Sequence, residues 1–136
     1  MQLRSQVSVE YMLVMGFAAL LTIPLLLIYH TYSADSIDSV ATSQALQIAR
    51  KIIDASESVY YLGKPSQTTL KLNFPDGIHS TNVSGKEVVF KIKTQAGVTE
   101  IVQVSPVNMS GTLPISAGIH VVTVKADDGY VQITSN

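Results

Sequence analysis

The sequence predicts an α+β chain, with one long N-terminal α-helix, bent near Pro24, followed by a small antiparallel, sandwich-like β domain. Three patterns support this prediction. Residues 11–29 carry no Asp, Glu, Lys or Arg, and residues 35–62 place apolar side chains at intervals of three and four. After Pro65 the apolar period changes to two, which is typical of strands.

These patterns divide the chain into a leader at residues 1–5, a helix at 6–63 and a β-rich domain at 66–136. The formal net charge is -1 and charged residues make up 14% of the chain, so the strongly basic face of a nucleic-acid-binding protein is not expected. There is no cysteine, which excludes disulfides, thiol nucleophiles and cysteine-bound metals.

The apolar run from Tyr11 to Tyr29 has the length of a membrane-spanning helix, because at ~1.5 Å per residue it covers about 28 Å. Tyrosines at both ends suit the two interfaces, and Arg4 before the run predicts a cytoplasmic N-terminus. A cleavable secretory signal is disfavoured, because the run is too long and residues 29–35 contain no good small-x-small cleavage site.

Glu10 lies directly in front of this run and is the first residue that needs a special explanation. A carboxylate at the mouth of a lipid-length helix is costly unless a partner neutralises it. It either reaches the headgroup layer of a plain anchor or pairs with a cation during assembly with other chains. Farther along, Gly16 weakens the helix and Pro24 removes a helical hydrogen bond, so both are predicted kink positions.

The second half of the helix is predicted to be amphipathic and to end at Leu62, with Gly63 as its C-terminal cap and Pro65 as a stop. The polar face carries charged residues, and the apolar stripe needs the β domain as a cover. The stripe consists of Ile37, Val40, Ala41, Gln44, Ala45, Ile48, Ile52, Ala55 and Val59.

The β domain is predicted to contain five to seven short strands in a sandwich or a strongly twisted sheet. Turns are expected at Pro75-Asp76-Gly77 and at Asp127-Asp128-Gly129, where Asp-Gly between two alternating runs is a strong hairpin signal. The predicted strands are 69–74, 87–93, 98–104, 118–125 and 130–134, with an edge piece at 112–115.

Two N-glycosylation sequons begin at Asn82 and Asn108, and both are predicted to lie in loops. No catalytic or metal-binding motif emerges. His30, His79 and His120 are far apart in sequence, and no phosphate loop or serine-nucleophile motif is present. We therefore expect neither an enzyme nor a cofactor or metal site.

The segment Gln6-Val-Ser-Val-Glu10-Tyr11, followed by an apolar helix, resembles the archaeal class III signal peptide of type IV pilin-like proteins, whose pattern is Gln-x-Ser-x-Glu-Tyr. The resemblance implies cleavage between Ser5 and Gln6 by a membrane prepilin peptidase, with the helix retained in the mature subunit. Gln6 would become the new N-terminus. Gln6, Glu10 and Tyr11 would then act in assembly, the new ammonium of one subunit neutralising Glu10 of a neighbour.

The resemblance also implies a function, a location and a set of partners. The chain would be the subunit of an archaeal type IV pilus-like adhesive filament, a homopolymer built through its N-terminal helix. It would enter the membrane first, and a membrane platform and an ATPase would then assemble it on the cell surface. The alternatives are an archaellin-type motility subunit, a minor pilin, and a monomeric membrane-anchored extracellular binding module.

Overall fold

A computed structural model describes the backbone of residues 2–136 and the side chains of residues 6–33 and 35–136. The α+β class is confirmed. The elements are α1 (Gln2–Leu62), β1 (Gln67–Phe74), β2 (Ile78–Thr94), β3 (Gly97–Gly111), β4 (Gly118–Ala126) and β5 (Val131–Ser135). The chain divides into two compact units, Met1–Ile37 and Asp38–Asn136, with α1 contributing to both.

The first unit is the N-terminal part of α1. Its helical backbone begins at Gln2, four residues before the predicted start, so the predicted cleavage point between Ser5 and Gln6 lies within helical backbone. The side chain of Ser5 lies outside the described side chains. Pro24 is inside the helix, and helical backbone continues on both sides of it. The bend near Pro24 stays a prediction.

The second unit begins with the C-terminal part of α1, which ends as the sequence predicts. Gly63 adopts a φ of +73°, a conformation that glycine reaches without a side-chain penalty. Its amide donates to the carbonyl oxygens of Val59 and Tyr60, at 3.1 and 3.2 Å, and so satisfies the last turn of the helix. The predicted glycine cap is confirmed.

The apolar stripe of α1 packs against the sheet, but it starts later than predicted. The helical side chains in the core are Ala45, Ile48, Ala49, Ile52, Ile53 and Val59, which form one cluster with side chains of all five strands. Ile37 and Val40, the first two positions of the predicted stripe, are exposed. The turn after β2 contacts the helix close to these two residues, where the amide of Gln95 donates to Asp38 Oδ2 at 2.9 Å.

The five strands form one sheet in the order β1-β4-β5-β3-β2. All neighbouring pairs are antiparallel except β3 and β5, which run parallel where Met109 is opposite Val131. The hairpin predicted at Asp127-Asp128-Gly129 is confirmed, since β4 and β5 are antiparallel neighbours and the amide of Asp127 donates to the carbonyl of Tyr130.

The sheet folds over on itself, which explains why a sandwich-like pattern appears in the sequence. β2 changes register against β3 just after Gly85, which has a φ of +62°. The carbonyl of Gly77, directly before β2, accepts a hydrogen bond of 2.8 Å from the amide of Lys93, near the other end of the strand. Side chains of the edge strands β1 and β2 also come close, since the ring centroids of Phe74 and Phe90 are 6.3 Å apart.

Three strand predictions are wrong. β2 and β3 are much longer than the predicted strands at 87–93 and 98–104, because the register shift between Gly85 and Glu87 interrupts the ladder without ending either strand. Residues 112–115 are described by the structure and are not a strand. Pro114 cannot donate to a sheet ladder, and Leu113 is buried with its carbonyl accepting from the Thr81 hydroxyl.

Candidate functional site

The N-terminal part of α1 exposes its apolar side chains all round. From Val7 to Tyr32 every large apolar side chain is more than half exposed. Within the searched residues, one helix is long and apolar enough to cross a membrane, as judged by length and composition. Leaving such a surface in water costs roughly 25 cal/mol per Å². The segment therefore packs against a membrane or against partner chains.

Glu10 lies in this exposed segment, one helical turn after Gln6. Residues four apart project from the same face of a helix, so the two predicted assembly residues share one face. Tyr11 is exposed beside them. Among the side chains that the structure describes, Glu10 forms no ion pair. A cation from another molecule could therefore approach its carboxylate.

Gly16 lies at an open apolar groove of about 400 Å³ along the helix. A Cβ built on Gly16 would meet no atom within 4 Å, so an added side chain would project into the open groove. Small residues let helices approach closely where apolar packing must occur without water. The groove can receive a side chain of a partner helix. Its lining is Val9, Met12, Leu13, Gly16, Phe17 and Leu20.

The two sequons lie in strands, so the prediction that they lie in loops is wrong. Asn82 is in β2 and Asn108 is in β3, and both side chains are exposed. Ser84 is directly opposite Ser110 in the antiparallel ladder. Because residues two apart in a strand project to the same side, both acceptor asparagines occupy one outer face of the β2–β3 pair. Glycan attachment there stays a prediction.

A polar cluster joins the end of α1 to the β4–β5 turn, and sequence reasoning missed it. The Lys64 ammonium pairs with Asp127 and lies 2.7 Å from Asp128 Oδ2, while the Tyr130 hydroxyl donates to Asp127 at 3.1 Å. The hydrogen bond from Lys64 lowers the pKa of Asp127 to about 2, and hydrogen bonds to Asp127 and Asp128 raise the pKa of Lys64. The long sequence separation of Lys64 and Asp127 explains why no local motif marks the cluster.

The described part of the chain contains no group of three or more His, Asp or Glu side chains placed to hold a metal ion. His30 and His79 are exposed on different units. His120 lies edge-on to Phe74 with a centroid distance of 5.6 Å, and its Nε2 is 3.1 Å from the Ser116 hydroxyl. His120 therefore has a packing role, and the three histidines are not assembled into one site.

Comparisons with protein-family models, with curated proteins and with solved structures gave no match. The fold can therefore be compared with known folds only through its architecture. A long apolar N-terminal helix, exposed in its first half and packed on a mostly antiparallel sheet in its second, is consistent with a type IV pilin-like fold.

Proposed function

We propose that the chain is the structural subunit of an archaeal type IV pilus-like surface filament, with an adhesive role and no enzymatic activity. One observation carries this proposal. A single helix is exposed and apolar all round up to Tyr32, and the same helix is covered on one face by a sheet from Ala45 onward. Such a helix can form the core of a polymer while its own sheet domain coats the outside.

The precursor is proposed to sit in the membrane with its N-terminus in the cytoplasm. A prepilin peptidase then cuts between Ser5 and Gln6, and a membrane platform with an ATPase moves the subunit into the filament. The Gln6-to-Tyr11 motif supports this processing step.

Helix packing alone gives little bias toward the polymer, because lipid tails are as apolar as a neighbouring helix. Two features support assembly in addition. The groove at Gly16 allows close contact between helices, and the carboxylate of Glu10 gains a cation when the cleaved N-terminus of a neighbour approaches it. Work by the ATPase supplies the rest of the free energy needed to move the subunit from the membrane into the filament.

N-terminal sequencing of the mature protein, combined with electron microscopy of material sheared from cells, tests the proposal. We expect a mature chain beginning at Gln6 and filaments that contain it. An uncut Met1 terminus, with all the protein in the membrane fraction, would contradict the proposal and favour a monomeric anchored module. Filaments that rotate during swimming would indicate an archaellin, and trace incorporation would indicate a minor pilin.

Replacing Glu10 by Ala tests its role in assembly. We expect normal membrane insertion and a filament yield reduced at least about tenfold, because about 1.4 kcal/mol of lost interaction corresponds to a factor of ten. Glu87→Ala is the matched control, since Glu87 is exposed in β2 and forms no ion pair among the described side chains. Normal filament yield from the Glu10 variant would refute the role proposed for this carboxylate.

A further inference from the structure

A half-open cleft in the second unit is lined by polar side chains of α1 and of the edge strand β1. The cleft has a volume of about 280 Å³. Gln44, Gln47 and Lys51 line it from α1, and Lys71 and Asn73 line it from β1. We call these five side chains the amide–lysine cleft. Their spacing is regular, because residues three or four apart share a helix face and residues two apart share a strand face.

The charge of the cleft is unbalanced. No Asp or Glu lines it, and neither Lys51 nor Lys71 forms an ion pair with any side chain that the structure describes. By contrast, Lys64 and Lys91 each lie within 4.0 Å of a carboxylate. Two ammonium groups without a counter-charge, one on each wall, attract an anion and can donate charge-assisted hydrogen bonds to it.

The remaining lining selects among anions. The amides of Gln44, Gln47 and Asn73 each offer both donors and acceptors, as ring hydroxyls require, and they form no hydrogen bond to other described side chains. Ile48 and Leu72 also line the cleft, but both are buried in the core, so the polar side chains make the contacts to a ligand. The cleft volume of about 280 Å³ lies just below the range of about 300–1,000 Å³ for pockets that hold drug-sized ligands, so the cleft suits a smaller group such as one sugar unit.

We propose that the amide–lysine cleft binds a carboxylate-bearing sugar unit of a surface polysaccharide. Lys51 and Lys71 bind the carboxylate, and the three amides bind the ring hydroxyls. A phosphate group, free or in a lipid headgroup, would accept from the lysines and the amide N–H groups but would leave the amide carbonyl oxygens without a donor. The inference deepens the adhesive part of the proposed function and rests on it.

The test measures binding of polygalacturonate to the purified full chain in neutral detergent by isothermal titration calorimetry. We expect Lys51→Gln and Lys71→Gln each to weaken binding about tenfold, since one charge-assisted hydrogen bond is lost. Lys93→Gln is the matched control, because Lys93 is exposed on β2 and carries the same charge away from the cleft. It should leave the affinity within about twofold of the original.

Further probes separate a sugar site from simple charge attraction. Gln47→Ala should weaken binding of polygalacturonate but not of dextran sulfate, and neutral dextran should not bind. Equal losses in all three lysine variants would overturn the proposal, as would absence of binding or a preference for anionic phospholipid vesicles. The assay needs no filament. Failure to bind therefore leaves the filament assignment intact, and lysine-dependent binding by a chain that never polymerises would refute the filament but not the cleft.

Discussion

Ile28 and Ile52 lie in the same helix and have opposite surroundings. Ile28 is 65% exposed in the first unit, and Ile52 is fully buried against the sheet in the second. The difference follows from the neighbouring sequence. Around Ile28 the helix is apolar on every face, so it has no polar face to present to water. Around Ile52 the helix is amphipathic, with an apolar stripe on one face and charged residues on the other.

The comparison shows that one helix can contain two kinds of apolar surface. The stripe around Ile52 is buried against strands of the same chain. The surface around Ile28 has no cover within the described residues of its own unit and is completed by a membrane or by other chains. Substitutions in the two parts should therefore be detected by different measurements.

The largest effect is expected from the same substitution made in both parts of the helix. Ile52→Ala should lower the free energy of unfolding by about 3 kcal/mol, because it leaves a cavity in a packed core. Ile28→Ala should change that free energy by less than about 0.5 kcal/mol. Chemical unfolding of the detergent-solubilised chain, followed by circular dichroism, measures both. Equal destabilisation by the two variants would show that the two parts do not differ in this way.

Glycine replacements sharpen the comparison next. A Cβ on Gly111 would clash with the backbone carbonyl of Ile133, at the parallel contact of β3 and β5. Gly111→Ala should therefore destabilise the second unit by about 2 kcal/mol or more. Gly16→Ala meets open space and should leave unfolding of that unit unchanged, though it partly fills the helix groove. A fully stable Gly111 variant would show that β5 can move away from β3.

Sequence reasoning succeeded where a signal is local and failed where partners are distant. The Gly63 cap and the Asp127-to-Gly129 hairpin each depend on a few adjacent residues, and both are confirmed. The strand predicted from residue 87 onward in fact begins at Ile78, because Gly85, with its positive φ, lies at a register shift inside the strand and not in a turn before it. The contact between Lys64 and Asp127 depends on how β4 and β5 are placed, which no short motif encodes.

The same limit applies to the candidate sites. The apolar length of the helix and the position of Glu10 are visible in the sequence, because each depends on one continuous segment. The amide–lysine cleft brings Lys51 and Lys71 together across two elements, and each lysine alone resembles an ordinary exposed residue. Pairing of β1 at the sheet edge had to be known before the cleft could be found.

Ser56 offers a smaller test within the buried half of the helix. Its side chain is fully buried, and its hydroxyl oxygen has no hydrogen-bond partner among the described atoms. Since an unsatisfied buried hydroxyl is costly, Ser56→Ala should raise the unfolding free energy by about 1 kcal/mol. Ser58→Ala is the control, because the exposed Ser58 hydroxyl donates to the Asp54 carbonyl at 2.9 Å. A gain in Ser58→Ala equal to that in Ser56→Ala would attribute the effect to helix propensity alone.

The smallest effect concerns pH and the cluster of Lys64, Asp127 and Asp128. Because the folded state lowers the pKa of Asp127 from 3.8 to about 2, its stabilisation is complete above the ordinary pKa and is lost as the pH falls through about 2. The pKa of Lys64 is raised, so its contribution is complete below the ordinary pKa of 10.5 and disappears at still higher pH. The groups are at the surface, so salt should weaken both effects.

Lys64→Gln should therefore reduce the loss of melting temperature as the pH falls from about 4 toward 2, and the change should be larger at low salt than at high salt. Thermal unfolding between pH 2 and pH 7 measures it, and Lys86→Gln serves as the control because Lys86 forms no ion pair among the described side chains. If the Lys64 variant loses as much melting temperature at low pH as the original chain, other carboxylates control acid unfolding. A smaller loss in the variant would establish that charge holds the end of α1 to the β4–β5 turn, whereas the first half of the same helix depends on the membrane or the partner chains around it.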